Sequence, residues 1–159
     1  MNRIGVTGHR TIPRAAYAHV LIGLRAAIGG VEGPLDALSS LAAGADQLFA
    51  DIALSHGAEL TAVIPSGDYE STFSGAAELA RYRGLKDRAA REVRLDFPHS
   101  TDEAYYAAGV YIADHCDRLF AVWDGRPARG LGGTGDIVTY ARALGRPVTV
   151  IWHAGVERD

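Results

Sequence analysis

The residues best suited to chemistry sit in short, polar, glycine-bearing stretches. Thr7-Gly8-His9-Arg10 places a hydroxyl, an imidazole and a permanent cation around one glycine. "AAGADQ", 42–47, carries Gly44 and Asp46 into a helical pattern, and "PSGDY" spans 65–69. "DGRPARGLGGTGD", 124–136, holds Asp124, Gly125, Gly132, Gly133, Thr134, Gly135 and Asp136. Glycine lets backbone N–H groups come close to an anion. A helix start adds unpaired donors and a partial positive charge. Together they read as a phosphate or sugar-phosphate site. Its ligand-holding residues are Thr7, Gly8, His9, Arg10, Gly44, Asp46, Gly125 and the run Gly132, Gly133, Thr134 and Gly135. Asp136 opposes an anion unless it bonds a ribose or the helix amides. Tyr105 and Tyr106 are adjacent, so at most one faces the core and the other is open to stack on a ligand.

Each position also admits a plain structural role. Arg10 can be a surface ion-pair residue, and His9 a loop histidine packed on its neighbours. Asp46 can simply favour its helix start, and Asp124 can be a turn aspartate before Gly125.

The elements that must position these groups follow from apolar patterning. Runs at 3–6, 37–41, 60–64, 93–97, 118–123 and 148–152 read as strands, several nearly continuous, as for strands buried on both faces. The run "VRLDF" alternates, which suits a place near an edge. Helical patterns fill the gaps. The first has Tyr17, Val20, Leu21, Leu24 and Ile28 on one face; the others span 46–55, 74–91, a segment capped by Ser100 or Thr101, and 134–144. The expected stripe of the fourth is Tyr105, Gly109, Ile112 and Cys116. Strand and helix alternate throughout. The expected fold is α/β: one doubly wound, Rossmann-like parallel sheet with helices on both faces, spanning 1–159 as a single domain. The expected strand order is 3-2-1-4-5-6. Ligands in such sheets sit beyond the carboxyl ends of the strands, where the chemistry-bearing stretches fall.

The bulk properties narrow the classes. The chain has 159 residues, 48% hydrophobic and 22% charged, as in soluble globular proteins. Its net charge of -3 disfavours nucleic acid as a partner. Cys116 is the one cysteine, so no intrachain disulfide forms. His19, His56, His115 and His153 show no metal-like spacing, and neither a metal nor a cofactor is expected. No apolar run approaches the ~20 residues of a membrane helix, and no signal-peptide pattern opens the chain, so no membrane contact and a cytoplasmic location are expected. "GVTGHR" is not G-x-G-x-x-G and no suitably placed acid ends the second strand, which weakens a dehydrogenase reading; G-x-x-x-x-G-K-[ST] and G-x-S-x-G are missing, which weakens P-loop and hydrolase-triad readings.

"VTGHR", "LAAGAD", "AVIP" and "CDRLFAVWDG" running into "GGTGD" resemble the SLOG superfamily, the Rossmann-like domains related to the DprA/Smf and LOG proteins. The resemblance runs from Ile4 to about Trp152 and is greatest to small YpsA-like bacterial members. It implies a nucleotide or nucleotide-derived ligand at the strand ends, with phosphate contacts from the Gly8 loop and the Gly132-Gly133-Thr134-Gly135 loop, and a homodimer. Asp46 and Asp124 would then contact ribose hydroxyls or orient Arg10. In the LOG branch the resemblance implies cleavage of a ribose 5'-monophosphate from a nucleotide base, with P-G-G-x-G-T-x-x-E and an arginine on the preceding helix. This chain has no acid near Val138 and Thr139, and Tyr105-Tyr106-Ala107-Ala108-Gly109 stands where that arginine would fall. Asp124 or Asp136 would have to serve as the catalytic carboxylate.

Overall fold

A computed structural model describes residues 1–158. Six strands form one all-parallel sheet: β1 (Asn2–Gly8), β2 (Leu35–Ser39), β3 (Glu59–Ile64), β4 (Arg91–Arg94), β5 (Arg118–Val122) and β6 (Val148–Ile151). Five helices connect them: α1 (Arg14–Gly29), α2 (Ala45–Ser55), α3 (Ala76–Asp87), α4 (Asp102–His115) and α5 (Thr134–Ala143). A short 3-10 turn covers Tyr69–Thr72. No described helix is long and apolar enough to cross a membrane.

The sheet order is β4-β3-β2-β1-β5-β6, which corrects the expected 3-2-1-4-5-6. β4 pairs with β3 at the edge, with Val93 opposite Val63, instead of crossing to β1. Its composition explains the place: Arg91, Glu92 and Arg94 are exposed, and charged side chains suit an edge strand. The crossover therefore comes one element later, through α4 to β5. Order reverses between β1 and β5, where Val6 faces Phe120 in register.

Side chains alternate along the strands and divide the core. Val6, Ala37, Leu60, Ala62, Phe120 and Val122 pack under α1, α2 and α3. Leu38, Val63 and Leu119 pack under α4 and α5. Gly5 points to the second face, where a Cβ would run into Ile112, so its smallness seats α4 against β1.

Two helices differ from expectation. α3 is shorter than 74–91, because Ala90 N–H bonds Leu60 O and draws the chain into β4. α4 does start at the Thr101 cap, whose Oγ1 accepts from Ala104 N–H at 3.2 Å. Its buried residues are Ala104, Ala108, Ile112 and Ala113, so the stripe lies one position away from Tyr105. The two tyrosines are thus left on the flanks of α4, half-buried.

Candidate functional site

The carboxyl ends of β1 and β5, the order-reversal point, open into a cavity of about 480 Å³. Ligands in doubly wound sheets bind at such a point. The β1 end supplies Thr7, Gly8, His9 and Arg10. The first turn of α2 supplies Asp46, and α4 supplies Asp102 and Tyr105. The loop before α5 supplies Gly132 and Gly133, and Thr134 opens the helix. A recess of about 230 Å³ adjoins this cavity and shares Arg10, Thr11, Ala42 and Tyr69 with it.

Arg10 is exposed at the rim, its guanidinium carbon 4.6 Å from the Tyr105 ring centroid. A cation held over an aromatic face keeps its charge aimed into the site at little cost. Tyr105 is therefore the tyrosine that faces the cavity. Tyr106 turns to α5, edge-on to Tyr140 at 6.4 Å.

Asp46 is buried, and Ala42 N–H reaches its Oδ2 only at 3.4 Å. Burial drives its pKa up to about 7, against weaker lowering by the Ala42 N–H and the Arg10 charge. It is a cavity carboxyl present in both protonation states near neutrality.

Several residues hold the site in place: Gly8 does so while lining it, whereas Gly44, Gly125, Gly135 and Asp136 do not line it. Gly8 has no room for a Cβ, which would crowd Ala45 and, at 2.9 Å, Val122. Its lack of a side chain serves the seating of α2 on β1. Gly44 has φ +82° and lies on the Arg10 and His9 carbonyls, while Ala45 N–H bonds His9 O at 3.1 Å. Gly125 takes φ +84° in the turn after β5, and Gly135 abuts the backbone at 126–128. Asp136 accepts from Gly132 N–H at 3.1 Å and so staples the glycine loop.

Asp124 does not line the cavity either. Its fully buried carboxylate accepts from Arg126 N–H at 3.0 Å and Arg158 N–H at 3.3 Å, with the Arg158 guanidinium 3.6 Å away. Burial alone would raise its pKa, but the two backbone donors, with His9 and Arg158, hold it below the usual carboxylate range. His9 Nε2 accepts from Asp124 N–H at 3.1 Å, and the ring meets Trp152 edge-on at 5.3 Å. Burial lowers the His9 pKa despite Asp124, so the imidazole is neutral at pH 7 and links three segments.

Tyr69, Asp102, Arg129 and Arg158 also line the cavity and were not anticipated. Tyr69 closes the "PSGDY" stretch, which flagged the strand end but not the ring. Arg158 lies past the last strand, where no local pattern marks it.

The helices α2 and α5 both begin at the cavity, and neither N-terminus is capped by a side chain. Arg10, Arg129 and Arg158 line the cavity together with Asp46 and Asp102. Fold and site define a class: a Rossmann-like α/β domain with a strand-end cavity.

The fold is shared with three solved structures. DNA processing protein A (DprA) from Streptococcus pneumoniae superposes with a TM-score of 0.71 at 20% identity, covering 98% of this chain and 52% of that one. DprA from Helicobacter pylori, whose structure is described for a single-stranded DNA binding mode, gives 0.68 at 15% identity over 99% of this chain and 68% of that one. The structural-genomics target TM1055 gives 0.57 at 14% identity over 93% and 72%. The chain thus spans about half the length of the pneumococcal protein (52%). No family model and no curated protein matches the sequence.

These likenesses overturn the expectation that disfavoured nucleic acid as a partner: the fold is shared with a protein that binds single-stranded DNA. Net charge averages the whole surface and does not report a local path. A strand needs only a local cationic path.

Proposed function

We propose that this domain binds a nucleotide, or a phosphorylated molecule derived from one, at the strand-end cavity. The observation that carries the reading is the placement of Arg10 over Tyr105 at the mouth of a cavity where two uncapped helix N-termini begin. The first amides of α5 and Arg10 receive phosphate, and Tyr105 offers a face for a base. The single-stranded DNA bound by the Helicobacter pylori DprA extends the reading to a nucleotide unit within a strand.

Calorimetric titration tests it, with nucleoside monophosphates, inorganic phosphate and a short single-stranded oligonucleotide as ligands. Binding of a monophosphate or the oligonucleotide, weakened in Arg10→Ala, is the expected result. Heat from neither, or binding indifferent to Arg10→Ala, defeats the reading.

A second reading is favoured by one observation, the buried Asp46 carboxyl with a pKa of about 7 inside the cavity. Cleavage of an N-glycosidic bond needs a carboxylate near an oxocarbenium-like centre. Asp46 has that access, whereas Asp124 and Asp136 are engaged in holding loops. Chromatography for free base released from nucleoside monophosphates tests it, with Asp46→Asn as the control expected to abolish release.

A further inference from the structure

His19 on α1 and His153 just after β6 are 134 residues apart in sequence, yet their Nδ1 atoms lie 3.4 Å apart. The ring centroids are 4.9 Å apart and the planes are inclined at 56°. That centroid spacing is shorter than a head-on contact of the two nitrogens would leave, so the rings meet at an angle rather than end to end. The distance is also long for a nitrogen hydrogen bond. A tetrahedral ion at about 2.05 Å from each nitrogen would hold them about 3.3 Å apart, close to what is seen. The other exposed histidines use Nδ1 differently. His56 and His115 bond backbone carbonyls at 2.9 and 2.7 Å, and His99 meets Asp68 at 3.2 Å.

We propose that His19 and His153 form a chelating pair for a transition-metal dication such as Zn2+ or Ni2+, with water completing its coordination. Imidazole nitrogens suit these borderline ions. No group of three metal-ligating side chains converges among the described residues, so the site is a two-ligand, exchangeable one. Both rings are exposed, which leaves an open entry path and room for water.

The position gives the ion a structural consequence. His153 opens the segment that returns to the ligand cavity. Its carbonyl accepts from Val156 N–H, and Trp152 Nε1–H donates to Val156 O at 2.7 Å. The same segment carries Arg158, which is tied to Asp124 and lines the cavity. An ion joining His153 to His19 fastens the root of that segment to α1. Since the pair exists only in the folded chain, the ion stabilises the fold by mass action.

Calorimetry of the full chain with Zn2+ and with Ni2+ tests the proposal, beside H19Q and H153Q. One binding site is expected, with affinity at least about tenfold weaker in each variant, because either change removes the chelate. Thermal melts in saturating metal should rise for the parent chain and not for the variants. Melts without metal should coincide, confirming that the variants fold. Amide NMR with substoichiometric Cu2+ should broaden signals around residues 19 and 153. Absence of binding, affinity unchanged in both variants, or broadening centred on His56, His99 or His115 overturns the proposal.

Discussion

The guanidinium of Arg10 stands over the Tyr105 ring, 4.6 Å from its centroid, at the rim of the strand-end cavity. The two come from elements that meet only because α4 crosses over to β5 beside β1. The contact is made at the cavity, with little core packing behind it. Arg10→Ala should therefore weaken nucleoside monophosphate binding by roughly 10- to 100-fold, the scale of losing charge-assisted hydrogen bonds of about 1.5–3 kcal/mol. Stability should move by no more than about 0.5 kcal/mol. Paired calorimetry and thermal melts check both. A variant that unfolds while keeping its affinity would assign Arg10 to the scaffold.

Asp46 predicts a pH effect of definite sign. Its folded pKa, about 7, is above the unfolded carboxyl value. The folded form keeps its proton where the unfolded chain has lost it. The stabilising contribution is full below about pH 4, falls as pH rises, and is gone above about pH 7. Asp46→Asn should flatten that slope and melt higher than the parent at pH 8, where the parent holds a buried, poorly partnered charge. Melting curves from pH 4 to 8 check this, and an unchanged slope in the variant would reject the assignment.

Much of this was legible in the sequence, and the failures have physical causes. Alternation of apolar runs with helical faces gave the parallel sheet, since each strand buried on both faces needs a helix on either side. It could not place β4, because the order depends on which edge its charged residues tolerate, a property of the assembled sheet. The polar corners at Thr7–Arg10 and Gly132–Thr134 were visible because glycine and hydroxyl residues cluster locally. Asp124 was legible as a turn aspartate, which the Arg126 N–H bond matches, but its ties to Arg158 and His9, 34 and 115 residues away, were not. The His19–His153 pair escaped for the same reason, because spacing rules see ligands only on one element or one loop.

Asp124 predicts the opposite pH response to Asp46. Its folded pKa is lowered, so its contribution is present above the unfolded carboxyl value and is lost as pH falls through the folded one. Asp124→Ala should cost about 1–3 kcal/mol at neutral pH by leaving the Arg126 and Arg158 donors unpaired, and the loss should shrink in acid. Denaturant titrations at pH 7 and pH 3 check it. A neutral effect at pH 7 would mean that water replaces the carboxylate without cost.

Gly109 and Ile137 set the distance between α4 and α5 at the cavity wall. A Cβ on Gly109 would fall on the Ile137 side chain, with Cγ1 2.6 Å away. Two effects compete in Gly109→Ala. Helix propensity favours alanine by up to about 1 kcal/mol. Overpacking costs about 1–3 kcal/mol where the neighbour cannot move freely, and Ile137 is 1% exposed. Overpacking should win, and the single variant should be destabilised. Ile137→Val shortens the offending side chain and should cost about 0.5–1.5 kcal/mol alone. Combined, the two should recover stability relative to their sum, with a coupling of at least about 0.5 kcal/mol. Both residues line the cavity, so ligand affinity should fall with Gly109→Ala and return in part in the double variant. Denaturant unfolding of the four proteins in the cycle measures the coupling. Strict additivity would show that α4 and α5 adjust independently and that Gly109 does not fix the cavity wall.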